Sequence, residues 1–98
     1  MSVRVVIHGR TVGSLHDFYR EVESQLSLPD YFGRNLDALW DVLSTDIEGP
    51  FELIWEDADI SRKSMGRDFE RVMAFGKELE RERGDFRLIV KGVKIEGL

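Results

Sequence analysis

Asp37 and Asp41 stand four residues apart, a spacing that places both carboxylates on one face of a helix. Ser44 falls close to that face, Leu36, Leu39 and Leu43 lie on the other side, and Trp40 marks the border. Like charges so spaced cost an isolated helix a few tenths of a kcal/mol, relieved more for Asp37, in the first turn, than for Asp41. Such a pair can serve as acid and base in a glycosidase, hold a divalent cation, or meet cationic groups of a partner protein. A chain of 98 residues with no evident sugar cleft argues against the first. The second lacks the further oxygen ligands of a calcium loop. Charge-assisted hydrogen bonds to a cationic partner remain, beside the plain alternative of a solvated helix face.

Aromatic neighbours favour the partner. Tyr31, Phe32 and Trp40 surround the acids within ten residues, and tyrosine and tryptophan are enriched at binding hot spots. A core position suits Phe32, whereas Tyr31, in a loop between Asp30 and Gly33, suits exposure. Rings beside anions are what a protein needs to imitate a nucleotide, the ring for the base and the carboxylate for the phosphate.

Other chemistry finds little support. His8 and His16 have no nucleophile and orienting group at a telling spacing, and Ser14 reads as a helix cap. Gly9 and Gly13 make no phosphate-cradling loop. The absence of cysteine excludes disulfides, thiolate metal sites and cysteine nucleophiles. We therefore expect no enzyme, cofactor or metal.

The net charge of -5 is the wrong sign for a general nucleic-acid binder. Its distribution is uneven: residues 29–59 carry Arg34 alone against nine acids, while residues 60–98 are net basic. Clustered charge of this kind steers encounters with a cationic partner. No apolar run approaches the ~18 residues of a membrane span, and no signal peptide opens the chain, so a cytoplasmic address is expected.

The elements that must hold these residues follow from pattern. Val3 to Ile7, rich in β-branched residues, predicts a short buried strand. Ser14 caps a helix whose apolar positions are Leu15, Phe18, Tyr19, Val22 and Leu26, with Asp17 placed as in a capping box. Pro29 stops it, and a second helix begins near Arg34 or Asn35. Phe51 to Trp55 alternates as a second strand, and Glu56 to Ser64 reads as polar connection. A third helix over about 65–83 is weakened by Gly76, and Phe86, Leu88 and Val90 mark a third strand. The order predicts a single α/β domain, residues 1–92, with a mostly parallel three-stranded sheet packed by three or four helices. Residues 93–98 form a tail.

The stretch LPDYFGRNLDALWDVL, with Pro29, Tyr31, Phe32, Gly33, Asn35, Leu36, Asp37, Ala38, Leu39, Trp40 and Asp41, closely resembles the loop and second helix of the barstar family of ribonuclease inhibitors. The remaining elements fall in that family's order over about residues 3–91. The resemblance implies that the second helix enters a ribonuclease active site, with Asp41 in the place of a substrate phosphate. It implies partner contacts at Tyr31, Asn35, Asp37, Trp40, Asp41 and Ser44, and a further acid, Glu78 or Glu80, on the third helix. Arg34 departs from the pattern by replacing an acid. The expected partner is a basic extracellular or toxin-type ribonuclease, bound 1:1 by a free monomer acting as an immunity protein. The alternative is a module of the same fold that binds a different basic protein.

Overall fold

Alternate residues of each strand turn inward. The computed structural model describes residues 2–29 and 32–92. In β1 (Val3–His8) Val5 and Ile7 are buried; in β2 (Phe51–Glu56) Phe51, Leu53 and Trp55 are; in β3 (Phe86–Val90) Phe86 is. β2 is central and pairs in parallel with both neighbours, placing Val5 beside Leu53 and Leu53 beside Leu88. The sheet is thus wholly parallel. The strand expected over residues 3–7 is present, but it is buried only on the inward face that carries the core. On the opposite face Val6, Ile54 and Ile89 lie side by side across the three strands and are half-buried.

Two helices fill each crossover. α1 (Leu15–Gln25) and α2 (Leu36–Thr45) connect β1 to β2, and α3 (Ala58–Met65) and α4 (Arg67–Glu82) connect β2 to β3. Ser14 caps α1 by accepting the Asp17 N–H at 3.1 Å. The Asp17 carboxylate reaches back to the N–H of Gly13, at 3.0 Å, one residue before the box position. Phe18, Val22, Leu39, Leu43, Phe69, Val72 and Leu79 join the inward strand residues in one core, where the Phe18 and Trp55 rings stack 5.3 Å apart.

α3 overturns the expectation of a polar connection. Its buried residues are Ala58, Ser61 and Met65, too small and polar to print an apolar period. The fully buried Ser61 hydroxyl accepts from the Trp55 indole at 3.0 Å and donates to the Val12 carbonyl at 2.6 Å. Gly76 also has a positive role. A Cβ there would lie 2.7 Å from Leu88 Cδ2, so its absence lets α4 sit close on β3.

Both outer strands are closed by side chains. The Gln25 amide accepts from the Val6 N–H at 2.9 Å and donates to the Val6 carbonyl at 2.7 Å, as a pairing strand would. On β3, the Glu80 carboxylate accepts the Leu88 N–H at 2.9 Å. No helix among the described residues is long and apolar enough to cross a membrane.

Candidate protein-binding face on α2

α2 begins where Asn35 accepts the Ala38 N–H at 2.7 Å, satisfying a donor of the first turn. Its inward side is Leu39, Val42 and Leu43. Half-buried Trp40 meets Phe75 of α4 edge to face, with ring centroids 5.7 Å apart. Asp37 and Asp41 project from the other side and are exposed. Among the described residues no hydrogen bond or ion pair takes either carboxylate. Half-buried Ser44 places its hydroxyl 3.5 Å from the Asp41 carbonyl, a long contact, and the Thr45 hydroxyl donates to the same oxygen.

Cations stand at both ends of this helix, each committed elsewhere. Arg34 adopts a left-handed backbone, φ 49°, and grips Glu23 of α1 through Nε at 2.7 Å and Nη2 at 3.2 Å. That pairing holds the guanidinium more firmly charged than usual and turns it toward α1. Arg34 therefore adds an ion pair with α1.

At the C-terminal end Arg83, just beyond α4, donates from Nη1 to the carbonyls of Leu43 and Ile47, both at 2.7 Å. Its Nε and Nη2 each meet a carboxylate oxygen of Asp85 at 2.9 Å. The Arg83 side chain is only 11% exposed. Its hydrogen bond holds the Asp85 carboxyl below the usual aspartate range. Sequence reasoning missed Arg83, since the carbonyls it serves lie 36 and 40 residues away in the chain.

The two candidate acids of α4 separate cleanly. Glu80 is half-buried and occupied by the backbone of β3. Glu78 is exposed, one turn from Phe75, with Arg81 as its ion-pair partner at 2.9 Å. Phe32 is partly buried against the core, its ring edge-on to Tyr19, in keeping with its expected role. Asn35, Asp37, Trp40, Asp41 and Ser44 all lie on α2 or its cap. Tyr31 and the tail 93–98 lie outside the described residues.

A one-sided parallel sheet that presents an anionic helix defines a small α/β protein whose candidate site is the exposed side of α2. The Barstar (barnase inhibitor) family matches residues 3–91, and the chain belongs to that family. It is also 29% identical, over 89 residues spanning 90% of this chain and 98% of the relative, to a Bacillus subtilis (strain 168) protein named "Putative ribonuclease inhibitor YrdF".

Proposed function

We propose that this protein inhibits a ribonuclease by laying α2 into the enzyme's active site, with Asp41 in the place of a substrate phosphate. The observation that carries this reading is the pair of exposed, unengaged carboxylates at Asp37 and Asp41 on a helix whose neighbouring arginines are turned to other partners. Asn35, Trp40 and Ser44 flank them, and Tyr31 completes the set. A ribonuclease must offer cationic groups to hold phosphate, and an anionic helix competes for those groups while its field speeds association. Inhibition is by occlusion, with no covalent step and no turnover. The complex is 1:1, the free protein is a monomer, and its setting is the cytoplasm of a cell that makes or meets a basic, secreted or toxin-type ribonuclease.

Titrating barnase, and then other basic ribonucleases, should abolish RNA cleavage at one equivalent. Asp41→Ala should weaken the complex by about 2–5 kcal/mol, a scale for which the barnase–barstar pair is itself a reference case. Glu56→Ala, at the far end of β2, should have a much smaller effect. Equal losses from the two substitutions would sink the mimicry. Tight, Asp41-dependent binding to a basic protein without nuclease activity would replace the target while keeping the face.

A further inference from the structure

α2 has no basic residue in its own last turn, and its C-terminal cap is another acid, Asp46. The negative end of the helix is thus left uncompensated by its own sequence. Arg83 supplies the missing cation from the junction of α4 and β3. Its planar fork spends one edge on the Leu43 and Ile47 carbonyls and the other on Asp85, so that position and orientation are both fixed. Asp85 is in turn tied to the sheet, because its carbonyl accepts the Phe51 N–H at 2.8 Å where β2 starts. Gly49 leaves room for the arrangement: a Cβ there would fall 1.6 Å from Asp85 Oδ2.

We propose that Arg83 is a positioning residue for the acidic face: its guanidinium docks the last turn of α2 onto the start of β3 and so sets where Asp41, two residues before Leu43, points. The effect on binding rests on the function proposed above. The docking itself does not. A binding face that is present but loosely held loses affinity without losing any contacting residue. Arg83 touches neither the Asp37 nor the Asp41 carboxylate, and acts on them only through the backbone that carries them.

The test uses the intact protein with Arg83→Gln, Arg83→Lys and Asp85→Asn. Amide hydrogen exchange is measured in α2, α1 and β1 beside global stability, and affinity for barnase is measured at temperatures where each variant is folded. In Arg83→Gln, exchange in the last turn of α2 should accelerate about tenfold beyond the change in α1 and β1, and affinity should fall about tenfold. Arg83→Lys should not restore either, because one ammonium cannot span two carbonyls and a carboxylate. In a background carrying Asp37→Ala and Asp41→Ala, Arg83→Gln should leave the residual affinity unchanged.

The proposal is overturned if α2 exchange merely follows global stability, or if the affinity loss persists at full size in the double-alanine background. Failure of the unaltered protein to bind barnase would count against the choice of target, and the exchange measurement would still decide the docking. Should Arg83→Gln not fold, Asp85→Asn keeps the two carbonyl bonds, and the same outcomes are read at smaller size.

Discussion

The two ends of α2 are held by the same kind of residue in opposite circumstances. At the N-terminal end the Arg34–Glu23 pair is open to water, with side chains 50% and 29% exposed. At the C-terminal end Arg83 is nearly enclosed and gives four hydrogen bonds, two of them to backbone. Water screens the first pair and repays much of what its loss would cost, whereas the two part-buried carbonyls that Arg83 serves are less easily satisfied without it. Guanidinium chemistry alone therefore says little about mechanical importance. Burial decides it.

Arg83→Gln is the sharpest way to break the contrast, and should lower unfolding free energy by about 3 kcal/mol in urea titrations. Arg34→Gln should have an effect several-fold smaller. Comparable losses would erase the distinction between the two ends. Next in size, Gly49→Ala should cost about 1–3 kcal/mol, since the added methyl must displace Asp85 from Arg83. Combined with Arg83→Gln it should cost less than the sum of the two, because both strike one cluster.

The smallest effect is one of pH. Arg83 holds the native pKa of Asp85 below its unfolded value. The carboxylate therefore adds stability that is fully present above about 3.9, the ordinary aspartate value, and is lost as pH falls through the depressed native value. Urea midpoints followed into acid should show this loss, and Arg83→Gln should remove that contribution. Persistence of the same acid dependence in the variant would assign it to another carboxylate.

Periodicity made most of the fold legible. Phe18 and Val22 of α1, Leu39 and Leu43 of α2 and the alternation of Phe51, Leu53 and Trp55 each report a local face, and those faces close on one core. α3 escaped because its buried serine is satisfied by the Trp55 indole and by the carbonyl of Val12, 49 residues away in the chain. β1 misled because Val6 carries the apolar run onto an outward face otherwise made of Arg4 and His8, while only the inward face is covered. At the candidate face, Asp37 and Asp41 were readable from helical spacing, and the start of the helix near Arg34 or Asn35 fell beside the Asn35 cap. Arg83 was not, for its role exists only once the end of α2 and the start of β3 have met.

The side chains of Gln25 and Glu80 carry a consequence for solution behaviour. A three-stranded parallel sheet has two raw borders for so little interior, and each is a template on which a neighbour's backbone can add. Here an amide blocks one border at its midpoint and a carboxylate guards the other, where an incoming strand would have to displace a charge. With Val6 and Leu88 already bonded within the chain, edge-to-edge addition of a second copy would have to break those bonds first.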